Sequence, residues 1–224
     1  MRKLFLLMVS GLLTLALAAG EAWSIDSQQA SLSERINLTI PQRVALHLTE
    51  DEWIVDLNNP MPGENGEGCY LVPKGYQGTL QDAIAAALGD HFKPIDTYPA
   101  IKDLNGNGKI DEGEKGTIIC LNQKVLQKFC NNGDGCELDL KVTRTLGGSH
   151  YGLGGVVENA PDLQYTKFVQ FNGADDGTPL ELLKVLGQHL PGWLDDLIIE
   201  AFWFDGSEVA GTYEFNFLFQ LAAL

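Results

Sequence analysis

Two-residue alternation of apolar and polar side chains near both ends of the 224-residue chain constrains its fold more than any other feature. Residues 35–57 alternate, and residues 212–221 do so over a longer uninterrupted run. The second run has one apolar face, made of Tyr213, Phe215, Phe217, Phe219 and Leu221. This period places successive side chains on opposite faces of half-buried β-strands.

The same pattern predicts the individual elements. Residues 35–57 are expected to form three short strands, Ile36–Ile40, Val44–Leu48 and Trp53–Leu57, with a hairpin turn at 49–51. Leu138–Val142 alternates as well, and Leu197–Phe204 is apolar on both faces, which predicts an interior strand.

Two helices are predicted from their end signals. In the first, Thr79 caps the helix, Asp82 lies at the third helical position and Gly89 ends it. In the second, Thr178–Leu186, Pro179 lies at the first position and Gly187 follows the helix.

The N-terminus has the pattern of a secretory signal peptide. Arg2 and Lys3 precede an uncharged apolar run from Leu4 to Gly20, and small residues follow it. An uncleaved membrane anchor is the alternative, since the run approaches a bilayer-spanning length. We expect residues 1–22 to be removed on export, with no membrane span left and with the mature chain secreted or at the cell surface.

Four cysteines lie within residues 69–136, and an even number in an exported chain indicates disulfides. Three pairings are possible. Cys130 and Cys136 bracket a sequence that turns easily, which favours that pair and leaves Cys69 with Cys120.

The segment Asp103–Glu114 is the most specific motif, because it resembles the twelve-residue calcium loop of EF-hand and dockerin proteins. The glycine at the sixth position, Gly108, permits the sharp bend. The resemblance implies a Ca²⁺ ion as cofactor, bound by Asp103, Asn105, Asn107, the backbone carbonyl of Lys109, Asp111 and Glu114. Pro94 and Pro99 lie where an incoming helix would be, and no second loop follows, so we expect a structural site.

These observations predict a mainly β fold, an antiparallel two-sheet sandwich with a cysteine-containing, partly helical insertion. Residues 23–57 and 137–224 would form the sandwich, and residues 58–136 the insertion with the calcium loop. The runs that begin at Arg35 and at Ala210 resemble the first and last strands of secreted bacterial immunoglobulin-like or pilin-like sandwiches. That resemblance implies a role in the cell envelope or an appendage.

The function expected is that of a calcium-stabilised structural or adhesion-type protein, a subunit of a surface layer or filament. Its partners would be other cell-surface proteins or copies of itself. The net charge of −15 argues against nucleic acid as a partner.

A secreted module that binds carbohydrate or protein is the alternative, with Trp53, Trp193 and Trp203 as its candidate contacts. A secreted hydrolase is a third reading. The acidic pair Asp195–Asp196 is interpreted as a charged turn, and no catalytic constellation is found, so the chain is not expected to be an enzyme.

Overall fold

The computed structural model describes residues 35–61, 67–96, 98, 105–109, 111, 117–146, 153–172, 176–206 and 208–224. The chain divides into two units, Met1–Ile40 and Pro41–Leu224. Of the first unit, residues 35–40 are described, and they have no regular secondary structure. The predicted signal peptide, residues 1–22, lies outside the described residues. No helix within the described ranges is long and apolar enough to cross a membrane.

The described part of the second unit is mainly β, as predicted, and its sheets are antiparallel. It contains one α-helix and a short 3-10 helix at Pro161–Leu163. In chain order its elements are β1 (Val44–Leu48), β2 (Gly68–Leu71), α1 (Leu80–Leu88), β3 (Lys93–Pro94), β4 (Ile118–Cys130), β5 (Gly135–Leu146), β6 (Leu153–Ala160), β7 (Tyr165–Asn172), β8 (Asp176–Leu186), β9 (Trp193–Phe204) and β10 (Glu214–Ala223).

The strands form two sheets. A seven-stranded sheet has the order β3-β2-β4-β9-β6-β7, with β1 also paired to β4, and a three-stranded sheet has the order β10-β5-β8. Strands β1 and β2 therefore share one edge of β4, at opposite ends, while β9 takes the other edge. The sheets approach each other where β1 lies beside β10 and β7 beside β8.

The main core lies between the two sheets. Leu126, Val156 and Ile198 point inward from the larger sheet, and Leu138 and Leu140 from the smaller one; all are almost fully buried. Because strand side chains alternate, the opposite face of the larger sheet carries a second apolar surface. Helix α1 covers that surface.

Helix α1 has the predicted cap. The Thr79 hydroxyl accepts a hydrogen bond from the Asp82 N–H, and the Asp82 carboxylate accepts one from the Thr79 N–H. Its apolar side packs closely on the sheet, and the residue of β6 that lies beneath it is a glycine, Gly155, which has no side chain. A Cβ at Gly155 would lie 3.1 Å from Leu80 Cδ2 and 2.7 Å from the ring of Phe168.

The prediction of a second helix at Thr178–Leu186 is wrong, because this segment belongs to β8 and pairs with β5. Pro179 cannot donate a ladder hydrogen bond, but β8 is an edge strand and tolerates it. Sequence rules cannot tell a proline that starts a helix from one on a sheet edge.

Three other predictions differ from the structure. Strand β4 and the short β2 lie within the predicted insertion, yet β4 is central to the larger sheet. Ile36–Ile40 and Trp53–Leu57 are not strands. Trp53, Val55 and Leu57 instead pack, half-buried, on the cluster around the disulfide Cys69–Cys120. The other predicted strands are confirmed.

Candidate metal centre and buried ionic cluster

The predicted calcium loop is described in part. Asp103 and Glu114 lie outside the described residues. The four predicted ligand residues that are described are Asn105, Asn107, Lys109 and Asp111.

The described side chains of the loop converge on Asp111. The side-chain amides of Asn105 and Asn107 both donate to Asp111 Oδ2, at 2.9 Å and 2.6 Å. The Asn107 and Lys109 N–H groups donate to Asn105 Oδ1 at 3.0 Å and Asn107 Oδ1 at 2.8 Å. The hydrogen bonds from Asn105 and then Asn107 lower the pKa of Asp111, so its carboxylate stays charged. The side chains at positions 3 and 5 of the loop therefore both contact the carboxylate at position 9.

The backbone of the loop bends as a calcium loop requires. Gly108, at the sixth position, has a φ of +80°, which side chains with a Cβ rarely adopt. An asparagine can turn its amide to offer oxygen in place of nitrogen. The described groups are hard oxygen donors around a tight bend, and they fit Ca²⁺. Among the described residues, which do not include Asp103 and Glu114, no group of three or more His, Cys, Asp or Glu side chains is placed to hold a metal ion.

The cysteines form the two favoured disulfides. Cys69 and Cys120 are register partners on β2 and β4, and Cys130–Cys136 closes the turn from β4 to β5. Both bridges are buried, so they join β4 to its neighbours inside the core.

A cluster of charged side chains that was not predicted from the sequence lies between the sheets. Lys128 on β4, Glu158 on β6 and Asp196 on β9, here called the buried triad, all have fully or almost fully buried side chains. Lys128 Nζ lies 2.7 Å from Glu158 Oε1 and also contacts Asp196 Oδ2. The triad shares its sheet face with apolar neighbours such as Leu126 and Leu194, which pair in register with Asp196 and Lys128.

The triad has one carboxyl more than it has ammonium groups. Burial raises the pKa of Glu158 to about 7; Lys128 lowers it, while the adjacent Asp196 carboxyl raises it. Glu158 Oε2 and Asp196 Oδ1 have no hydrogen-bond partner among the described residues. A proton on Glu158 makes the triad neutral, which a surrounding of low polarity favours.

A second buried ion pair also joins β4 to β9, four residues along each strand from Lys128 and Asp196. Lys124 Nζ is 2.9 Å from Glu200 Oε2, and both side chains are about 95% buried. Like Lys128 and Asp196, the two residues are offset diagonally by two positions in the β4–β9 register. Burial raises the pKa of Glu200, and Lys124 opposes that shift.

The sequence does indicate this cluster, but the inward positions of β4 are partly polar, so the strand lacks the usual alternation of apolar and polar residues. Asn122, Lys124 and Lys128 have the same two-residue phase as Leu126 and Cys130, so β4 did not read as a strand with an apolar face. Asp196 was interpreted as part of a charged turn, and that interpretation is wrong, because it is buried within β9.

The three tryptophans considered as contacts do not share a surface. Trp53 packs near Phe202 in the sandwich, and Trp203 lies near Tyr76 on the helix side. Trp193 is 58% exposed and lies against Phe129, its register partner on β4. One tryptophan of the three is therefore available at the surface.

Comparison with known proteins adds no family to this picture: no family model, curated protein or solved structure matches the chain.

Proposed function

We propose that this chain is an exported structural subunit of the cell envelope, which assembles with copies of itself and is stabilised by Ca²⁺. The immunoglobulin-like or pilin-like character suggested by the first and last strands belongs to the same proposal. One observation carries it: a segment with the pattern of a strand is exposed.

That segment is Arg35–Ile40. Its apolar side chains Ile36, Leu38 and Ile40 are 79%, 79% and 72% exposed, and they occur at every second position. The alternation suits an extended strand that buries one face. A monomer gains nothing from exposing such a row, whereas a strand added to the sheet of another copy would bury it.

The smaller sheet offers an edge for this addition. Strand β1 lies beside β10 but does not pair with it, and over residues 216–223 the outer side of β10 has no hydrogen-bonded strand in the part of the chain that the structure describes. The inward side chains Phe217, Phe219 and Leu221 of β10 remain only half-buried although they pack on the core. An incoming strand with an apolar residue at every second position would extend that row and cover it.

The remaining features support an extracellular structural role. The N-terminal pattern directs export, and two buried disulfides suit an oxidising compartment. Outside the cell, Ca²⁺ is abundant enough to occupy a loop of modest affinity, so the ion would stay bound and stabilise the folded chain.

The test compares assembly of the mature chain with that of a variant carrying Ile36→Ser, Leu38→Ser and Ile40→Ser. We expect the wild type to form filaments or oligomers in Ca²⁺, seen by electron microscopy and sedimentation, and the variant to stay monomeric with an unchanged melt. The matched control carries Ile54→Ser, Met61→Ser and Val209→Ser, three other exposed apolar residues, and should assemble normally. A variant that assembles like the wild type would refute the role of the segment.

A carbohydrate-binding module is the second candidate, favoured by the exposed face around Trp193. Next to the Trp193–Phe129 pair, the Gln127 side-chain amide donates to Asp195 Oδ1 at 3.0 Å, so an aromatic surface lies beside polar groups. Sugars bind such combinations through stacking and hydrogen bonds. Retention of the wild type, but not of Trp193→Ala, on an immobilised glycan array would support this function over assembly.

A further inference from the structure

We infer that Lys128 and Asp196 are the site of an internal covalent modification, an amide bond between the two side chains that Glu158 promotes. The bond would join β4 to β9, the two longest-paired strands of the larger sheet. It is independent of the calcium loop and of assembly through the N-terminal segment.

The geometry already holds the reacting groups together. Lys128 Nζ contacts the carboxyl of Asp196, and both side chains are fully or almost fully buried between the sheets. Because the fold already holds the nucleophile against its target, the reaction avoids the large entropy loss that two free molecules suffer when they meet. The apolar surroundings also keep out the bulk water that would otherwise favour the separate acid and amine.

Glu158 supplies the third group that the reaction needs. It lies 2.7 Å from Lys128 Nζ, which also contacts the Asp196 carboxyl, so the two carboxyls flank the same nitrogen. Because burial raises its pKa to about 7, it can hold a proton near neutral pH and pass it on. Glu158 Oε2 and Asp196 Oδ1 have no hydrogen-bond partner among the described residues.

The step balances without a co-reactant. The ammonium of Lys128 gives one proton to the Asp196 carboxylate, leaving a neutral amine and a neutral acid. The Nζ lone pair attacks Asp196 Cγ while protonated Glu158 donates to the carbonyl oxygen and accepts a proton from nitrogen. In the tetrahedral intermediate, Glu158 protonates one of the two hydroxyls on Asp196 Cγ, which leaves as water, and takes up the proton of the other hydroxyl. An amide and one water result, and Glu158 ends protonated as it began.

The second ion pair provides a control within the same protein. Lys124 and Glu200 share the diagonal offset and the burial of Lys128 and Asp196. The second carboxyl nearby, that of Glu50, accepts a hydrogen bond from the Asn122 side-chain amide at 2.8 Å and forms no ion pair with Lys124 among the described residues. We expect this pair to stay ionic. The comparison separates the effect of a third catalytic group from the effect of burial alone.

Mass spectrometry of the purified mature chain, reduced at both disulfides, tests the bond. Trypsin should leave Lys128 uncleaved and yield peptide 125–141 joined to peptide 185–224, lighter than their sum by one water. Recovery of the two peptides unjoined, with cleavage after Lys128, would overturn the proposal.

Two variants, each measured on folded monomer from gel filtration, test the role of Glu158. Glu158→Gln should fold, since it leaves a neutral Lys128–Asp196 pair, but its peptides should be separate. Glu200→Gln, the matched control, should retain the joined peptides. A joined product in Glu158→Gln would refute the assignment of Glu158 as the proton carrier.

Discussion

At the scale of single residues, the unusual feature is the amount of charge placed between the two sheets. Buried charges lose their hydration, and a pair recovers that loss only with close contact and further hydrogen bonds. Lys124 with Glu200 and Lys128 with its two carboxyls meet the first condition. Removing one member of the Lys124–Glu200 pair leaves an unpaired buried charge, which typically costs about 3–5 kcal/mol. These residues therefore restrict how β4, β6 and β9 can pair.

The proton on the buried triad predicts how stability depends on pH. The folded-state pKa of Glu158, about 7, lies above its ordinary value of 4.5, so between these values the folded chain binds more protons than the unfolded chain. Stability from this group is complete below about pH 4.5 and falls as pH rises to about 7, by up to about 3 kcal/mol.

Urea unfolding between pH 4.5 and 8 measures this effect as the slope of the unfolding free energy against pH in the wild type and in Glu158→Gln. The slopes are compared and not the absolute values, because an amide bond between Lys128 and Asp196 would raise the stability of the wild type alone. Glutamine does not titrate, so the variant should lose the decline that Glu158 causes. Parallel stability curves for the two proteins would contradict the assignment. Glu200, whose pKa is also raised, remains in both and so cancels in the comparison.

At the scale of elements, β10 shows how an edge strand is held. One face of this strand packs on the core, and the other, which includes Leu218, is exposed. Its ladder with β5 runs over nearly the whole strand, with one irregularity at Glu214/Phe215. Strand β10 is therefore stabilised by one partner strand and by its inward side chains.

Neighbouring substitutions in β10 should differ sharply. Phe217→Ala removes an aromatic ring that packs between Phe171 and Phe202, and should lower the free energy of unfolding by about 2 kcal/mol. Leu218→Ala, one residue on, removes a 52% exposed side chain and should change it by less than about 0.5 kcal/mol. Chemical denaturation of both variants checks the contrast; equal losses would mean that the inward face is misassigned.

At the scale of the whole molecule, the predicted calcium loop and one disulfide belong to the same stretch of chain. The disulfide Cys69–Cys120 joins β2 to the start of β4, and the predicted loop occupies the connection that leads into β4. Cross-links and bound ions stabilise by restricting the unfolded chain or by binding only the folded one. The long segment between β1 and β4 thus depends on them more than the main core does.

Removal of Ca²⁺ should lower the melting temperature while leaving the two sheets intact. At a hundredfold excess over the dissociation constant, an ion that binds only the folded chain contributes about 2.7 kcal/mol. Asp111→Asn removes a charge from the point where Asn105 and Asn107 converge, and should abolish the response to chelator. Differential scanning calorimetry with chelator and with added Ca²⁺ measures both.

Asp82→Asn is the control for this experiment, since it alters an exposed acidic residue that caps α1 far along the chain from the loop. It should lower the melting temperature slightly and keep the full response to Ca²⁺. Titration calorimetry in which wild type and Asp111→Asn bind Ca²⁺ alike would contradict the placement of the ion.

The sequence alone determined the features that depend on near neighbours in the chain. Alternation predicted β1, β5 and β10, and a run apolar on both faces predicted β9. Capping residues predicted α1, and an easily turning segment between Cys130 and Cys136 predicted that disulfide. These signals are local, since a strand period or a helix cap is written within a few residues. The pattern of the predicted calcium loop is local in the same way, and its Ca²⁺ ion stays a prediction.

Only the tertiary structure decided what depends on distant partners. Strand β4 was missed because its inward polar residues are neutralised by Glu158, Asp196 and Glu200, which lie 30 or more positions away in the sequence. Thr178–Leu186 became a strand because β5 offered it a ladder, which outweighed its helix-like ends. The buried triad exists because three strands bring one lysine and two carboxyls together, and burial then makes their charges matter.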